Sequence, residues 1–409
     1  MLVLVSSLAA CAGGDSADER PGAGSARNQA GEGPTLPGSV GPRTGRLAEG
    51  EKGRWWLSTA PAGPAGSPAP GASAEGPCAE LPPISTQLAQ LLLVGFPGTT
   101  AGPVSRGLVD RGVGGLLLFR RNVVSAGQVR GLLADLKERA EIPLEVAVDQ
   151  EPGTRVARLA GIARASPSAR ELGRMPADRV ERYGRAMGRD LTALGITADL
   201  APVLDVTGAR GDGVIGDRSF GGDPATVARA AVAFQRGLAA GGVAPVGKHF
   251  PGHGATTVDS HQRLPVVAAS SARLHGHDLA PFRAAIRAGL DAVMVGHLVV
   301  RAVDPRAPAT LSRAVVGDLL RGRMGFDGLV VSDALEMGAL ANSMSLPVAA
   351  ERALAAGVDQ LILSGHAEVP AVLDHLRRAV ADGRLSRDRV GQAFLRVQRF
   401  KRVERWAGC

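Results

Sequence analysis

The run Lys248-His249-Phe250-Pro251-Gly252-His253-Gly254, followed by Asp259-Ser260-His261, sets a lysine, three histidines and a carboxylate within fourteen residues. A lysine and a histidine can hold a polar ligand by hydrogen bonds to charge. A histidine beside a carboxylate can give and take a proton near neutrality. The run follows Val243-Ala244-Pro245-Val246-Gly247, which reads as a buried strand. Polar groups on a glycine-rich loop at a strand's end reach a substrate while a rigid scaffold holds them. A lone loop histidine is ordinarily a solvated side chain. The joint spacing of Lys248, His249, His253, Asp259 and His261 is what points to a site.

The same histidines and Asp259 have the composition of a metal-ligand set. The helical His-Glu-x-x-His spacing is absent, however, and Pro251, Gly252 and Gly254 oppose a helix that would align His249 with His253. The expectation is no catalytic metal and no cofactor.

The elements that would position these groups can be read from apolar runs. Strand candidates are Leu91–Phe96, Val113–Phe119, Leu144–Gln150, Thr197–Leu204, Ala244–Phe250, Ala292–His297, Leu329–Asp333 and Gln360–Ser364. Helical spacing fills the gaps, as in Ser125–Arg139 with Ser125 at the N-cap, Pro176–Leu194, Ala225–Ala240, Leu279–Ala288 and Val348–Ala356. Strands alternating with helices predict parallel strands joined by crossovers. Eight of them predict an α/β fold, a (β/α)8 TIM-type barrel. The rival open sheet wants a glycine-rich fingerprint after its first strand, and Phe96-Pro97-Gly98-Thr99-Thr100 is not one. Active sites of the barrel lie at the C-terminal strand ends. Those ends carry Asp149, Asp205, Lys248 with His249, His297 and Asp333. For Asp333 taken alone the competing role is the N-cap of a helix over Ala334–Leu340, and the other strand ends weigh against it.

The rest of the chain bounds the setting. Residues 12–82 are dominated by Gly, Ala, Pro, Ser and charge, as in Pro61-Ala62-Gly63-Pro64. Such a segment cannot bury enough apolar surface to offset its entropy, so a disordered tether is expected. Residues 1–11 end on Leu8-Ala9-Ala10-Cys11 after a short apolar stretch, resembling a bacterial lipoprotein signal with Cys11 as the lipidated residue. Export to the outer face of the membrane, anchored there or secreted, follows as the expected location. An oxidising compartment would permit a disulfide, and Cys78 with Cys409 brackets the remainder, residues 83–409. No apolar run approaches the roughly 18 residues of a membrane span. The net charge of +8 is spread along the chain without an aromatic-interleaved basic patch, so no nucleic-acid partner is expected. A monomer is expected.

Five stretches in order, from about residue 85 to 400, resemble glycoside hydrolase family 3 in its β-N-acetylglucosaminidase branch. They are Asp149-Gln150-Glu151, Ala201–Val206, Ile215–Gly221, the Lys248–His261 run and Val331–Met337. The resemblance implies Asp333 as a carboxylate nucleophile forming a covalent glycosyl-enzyme. It implies His261, oriented by Asp259, as general acid and base. Asp149, Arg218, Lys248, His249 and, after the Asp-Gln-Glu run, Arg155 would hold the non-reducing sugar. His297 and Met337 are lesser candidates, with a core role open for Met337. Two departures stand out: an inserted residue and Pro152 in Asp149–Arg155, and Ala255 where an aspartate is common. The implied activity is retaining removal of terminal β-GlcNAc from peptidoglycan fragments or other GlcNAc oligosaccharides. A β-glucosidase, a glycoside phosphorylase or an inert carbohydrate-binding lipoprotein are the alternatives.

Overall fold

The computed structural model describes residues 80–208 and 213–407. The expected tether, the Cys11 anchor and the Cys78–Cys409 bridge lie outside the described residues. Eight parallel strands close into a barrel: β1 (Leu92–Gly95), β2 (Gly115–Leu118), β3 (Glu145–Val148), β4 (Ala198–Asp199), β5 (Ala244–Phe250), β6 (Ala292–Val295), β7 (Leu329–Ala334) and β8 (Gln360–Leu363). Each pairs with its sequence neighbours, and β1 closes on β8 through Leu92 opposite Leu361 and Val94 opposite Leu363. The strands are apolar runs rather than alternating ones because helices cover their outer face while side chains fill the interior.

All eight expected strands are present, six of them with trimmed ends, Ala244–Phe250 unchanged and the seventh longer by Ala334. The largest trim is informative. Thr197–Leu204 keeps ladder pairing only at Ala198 and Asp199. Beyond them Pro202 has no N–H to give a neighbour. Contact resumes as a single bridge from Val203 to Lys248, with Lys248 N–H donating to the Pro202 carbonyl at 3.0 Å. A separate pair of two-residue strands, Val266–Val267 and Val299–Val300, stands outside the barrel.

The outer helices form where their spacing predicted. Ser125 caps Ala126–Arg139 by accepting the Gln128 N–H. Helix Ala177–Leu194 buries Val180, Gly184, Met187, Gly188, Leu191 and Leu194, one stripe of a 3.6-residue period. It lies against Pro224–Ala240 so closely that a Cβ on Gly188 would stand 2.6 Å from the Leu238 carbonyl oxygen. Gly195, at φ 89°, ends it in the left-handed conformation glycine tolerates. No described helix is long and apolar enough to cross a membrane.

Candidate active site

Strand β5 delivers Lys248 to the C-terminal end of the barrel with only 2% of the side chain exposed. A buried ammonium needs opposite charge, and Lys248 has it from Asp149 Oδ1 at 2.5 Å and Glu151 Oε1 at 2.7 Å. Arg218 grips the same Glu151 with a two-pronged fork, Nε to Oε2 and Nη2 to Oε1, both 2.7 Å. Burial alone would raise the Glu151 pKa. Lys248 and Arg218 overcome it and bring the group down to about 2. Burial would likewise lower Lys248, but Asp149 and Glu151 raise it above the ordinary lysine value. The lysine is therefore a fixed cation. Beneath, Asp199 is fully buried, burial raises its pKa well above the ordinary carboxylate value, and its Oδ1 accepts the Gln150 N–H at 3.0 Å.

His249 is set by a second buried carboxylate. Asp205 Oδ2 lies 2.7 Å from His249 Nδ1, while Oδ1 accepts the His253 N–H at 2.7 Å. An acceptor on Nδ1 leaves Nε2 as the free edge of the ring. His253 spends its ring within the loop, Nδ1 against Thr256 Oγ1 at 3.1 Å and Nε2 against Ser260 Oγ at 3.3 Å.

Asp333 sits in β7, which continues to Ala334, and the helix that follows, Gly338–Ala341, has Met337 at its N-cap. The helix-cap alternative for Asp333 is excluded. Burial acts to raise the Asp333 pKa, but His297, His249, the Ala334 N–H and Lys248 together hold it below the ordinary value. His297 Nε2 meets the Ala334 carbonyl at 2.9 Å and Nδ1 meets Thr310 Oγ1 at 2.8 Å. Those contacts suit a neutral ring that donates from Nε2, and burial lowers its pKa to match. His297 thus braces the strand end beside Asp333 rather than the ligand.

His261 and Asp259 stand on the loop after β5. Asp259 Oδ1 lies 2.9 Å from His261 Nδ1 and accepts the His261 N–H at the same distance. The His261 side chain is 72% exposed. The backbone of this loop docks on the element that follows Asp333: Gly338 N–H donates to the His261 carbonyl at 3.1 Å and Ala339 N–H to that of Ser260 at 3.0 Å. A cavity of about 390 Å³ opens here, with Asp149, Arg158, Arg218, Lys248, His249, His261 and Asp333 in its wall. Carboxylate, imidazole and cationic groups around one hollow can cleave a polar substrate by attack and proton transfer.

Comparison with known proteins gives the arrangement a lineage. Residues 84–400 match the family described as Glycosyl hydrolase family 3 N terminal domain. The beta-hexosaminidase LpqI of Mycobacterium tuberculosis is 42% identical over 352 residues, covering 83% of this chain and 89% of that protein. The chain belongs to glycosyl hydrolase family 3. A beta-hexosaminidase of Alkalilimnicola ehrlichii is 38% identical over 77% of this chain and 93% of its own. Among solved structures, a family 3 beta-N-acetylglucosaminidase from Paenibacillus superposes with a TM-score of 0.76 at 40% identity, over 79% of this chain and 62% of that one. As a family 3 member the protein is a glycosidase.

Most of the residues expected from sequence meet in one family 3 site: Asp149, Arg218, Lys248, His249, His261 and Asp333 line the cavity, and Asp259 holds His261. Arg155 does not join them. Its guanidinium turns to Asp217 at 3.3 Å, with both side chains about half exposed, and it is not part of the cavity wall. Arg158 takes the place, 3.5 Å from Asp149 Oδ2 and 5.9 Å from the centre of the Phe119 ring. The second arginine of Arg155-Val156-Ala157-Arg158 is the one that reaches the barrel mouth. That repeat was a visible signal. Glu151 and Glu336 were also missed. Glu336 accepts the Ser364 and Gly365 N–H groups at 3.0 and 3.1 Å from the cavity wall, and nothing local in the sequence announces it.

Proposed function

We propose that this protein is a retaining exo-β-N-acetylglucosaminidase that removes terminal β-GlcNAc, with peptidoglycan fragments as substrate. The observation that carries the reading is the shared cavity of Asp333, held ionised, and His261, tied to Asp259. The names of the relatives support the sugar. In the first step an Asp333 oxygen attacks the anomeric carbon and the glycosidic C–O bond breaks. The leaving oxygen takes the Nε2 proton of His261, whose Nδ1–H stays on Asp259. In the second step water attacks the anomeric carbon, gives its proton to His261 Nε2, and releases Asp333 as the carboxylate. The fixed charges Asp149, Lys248 and Arg218, with His249, hold the sugar hydroxyls.

Hydrolysis of a GlcNAc aryl glycoside at least ~100-fold faster than of the glucose analogue supports the sugar assignment, a margin of about 3 kcal/mol. Equal rates would remove it, and a rate that needs added phosphate would make the enzyme a phosphorylase. Asp333→Ala should lose at least ~1,000-fold in kcat with an unchanged circular dichroism spectrum. A fluorosugar adduct found by mass spectrometry on any residue other than Asp333 would overturn its role. The same proposal places the enzyme outside the cell, held at Cys11 by lipid through the 12–82 tether. Labelled fatty acid incorporated into the wild type and lost in Cys11→Ala checks this.

A further inference from the structure

At the opposite end of the barrel from the active site, a cleft of about 550 Å³ is walled by Arg313, Arg321, Arg384, Arg389 and Arg396, with no carboxylate among its lining residues. It lies between the helices flanking the N-terminal ends of β7 and β8. One buried aspartate organises its floor. Asp359, just before β8, pairs with Arg321, with Arg389 at 2.7 Å and with Arg396 at 3.5 Å. Arg389 also donates to the Leu354 carbonyl at 3.0 Å, capping the end of the neighbouring helix Leu346–Ala356.

The charges do not balance. Arg384 pairs with Glu351 and Asp382, and Arg396 shares Asp327 with Arg399. Counting Arg399 with the five cleft arginines gives six cations, against four anions: Asp359, Glu351, Asp382 and Asp327. Arg313 is exposed and has no acidic partner among the described residues. Helix Arg387–Phe400 begins at the cleft with Ser386 as its N-cap, and Asp388 in its first turn offsets the positive end of its dipole. Burial, together with Arg396 and Arg389, keeps the Arg321 pKa below the usual arginine value despite Asp359, as a positive surplus would. A structural ion-pair network satisfies its arginines with carboxylates. This one shares Asp359 among three guanidinium groups and leaves Arg313 unpaired at the hollow.

We propose that this cleft is a binding site for a phosphate-type anion, a phosphate group carried on a small molecule, a polymer or a lipid headgroup. Planar guanidinium forks fit phosphate oxygens in pairs, which lysine cannot do. The Asp359 network holds Arg321, Arg389 and Arg396 in place, Arg384 stands paired at the rim, and Arg313 supplies the free charge. The site lies away from the catalytic cavity and would bind without blocking it.

Calorimetric titration of the unlipidated full chain with inorganic phosphate tests this. Saturable binding in the wild type, weakened roughly tenfold or more in Arg313→Gln and further in Arg313→Gln/Arg384→Gln, is the expected result. Arg313 has no partner to lose, so the single variant keeps its melting temperature and its hydrolytic rate. Co-sedimentation with phosphatidylglycerol vesicles, against phosphatidylcholine ones, separates the sources. Arg313-dependent sedimentation assigns the phosphate to a lipid headgroup, whereas phosphate binding without sedimentation assigns it to a soluble or polymeric carrier. Should neither phosphate nor vesicle binding depend on Arg313 and Arg384, the proposal falls.

Discussion

Arg155 and Arg158 stand three residues apart on one irregular loop, and their surroundings assign them different work. Arg155 meets Asp217 in solvent, where an ion pair contributes little. Arg158 borders the catalytic cavity beside Asp149, and its Nε is buried without a partner. A hydrogen bond from charge to a sugar hydroxyl contributes about 1.5–3 kcal/mol, roughly tenfold to a hundredfold in affinity. Arg158→Ala should therefore raise KM for a GlcNAc aryl glycoside at least ~10-fold, while Arg155→Ala should change it less than ~2-fold. The reverse order in steady-state kinetics would return Arg155 to the site. The comparison also marks what sequence could tell at this scale. Residue types at strand ends revealed Asp149, Lys248 and Asp333, because a polar group after an apolar run has few other reasons to be there. Glu151 was harder. Its part is to hold Lys248 and Arg218 together, and a contact between groups 67 residues apart has no local mark.

Among the elements, the eight strands were legible because a strand buried on both faces is an uninterrupted apolar run. The docking of the dyad loop was not. His261 stands on the loop after β5 and Asp333 near the end of β7, and what joins them is the backbone of Ser260 and His261 accepting N–H groups from Ala339 and Gly338. Gly338 permits this contact by having no side chain. A Cβ there would stand 2.7 Å from the carbonyl oxygens of both His261 and Gln262, closer than such atoms come, and backbone must move. A shift on the order of 1 Å at a catalytic group can cost about 100-fold in rate. Gly338→Ala should accordingly lower kcat by ~10- to 100-fold with KM little changed, since Lys248, Arg218 and His249 are untouched. Trapping of Asp333 by a fluorosugar with an activated leaving group needs no acid and should persist. A variant with normal kcat would show that the loop finds its working position without this dock.

Across the whole molecule the barrel divides its polar groups between two ends with opposite consequences. A second hollow at the N-terminal end, distinct from the arginine cleft and also about 550 Å³, is larger than the catalytic cavity of about 390 Å³. Size does not make it the active site, because it lies at the end of the barrel whose residues serve stability. It contains Glu145, at the start of β3, and Lys401. Glu145 accepts from Gln360 Nε2 at 2.5 Å, and Lys401 donates to Gln90 Oε1 at 2.7 Å. Burial pushes Glu145 up to about 7 from 4.5, with Gln360 and Lys401 only partly opposing it. Burial pushes Lys401 down to about 7 from 10.5, with Glu145 opposing. As pH rises from 4.5 to 7 the folded protein keeps a Glu145 proton that the unfolded chain has released, so stability falls through that window. Above 7 the unfolded chain keeps a Lys401 proton that the folded protein has lost, and stability rises again toward 10.5. Glu145→Gln keeps an oxygen for the Gln360 N–H and removes the first effect. Its melting temperature should match the wild type near pH 4.5 and exceed it by several degrees at pH 8, the gap opening between about 4.5 and 7. Activity should be unaffected at either pH, because the substitution lies a barrel's length from Asp333. A gap of constant size across the range would mean that Glu145 ionises in the folded protein as it does in water, and that its cost is one of packing rather than charge.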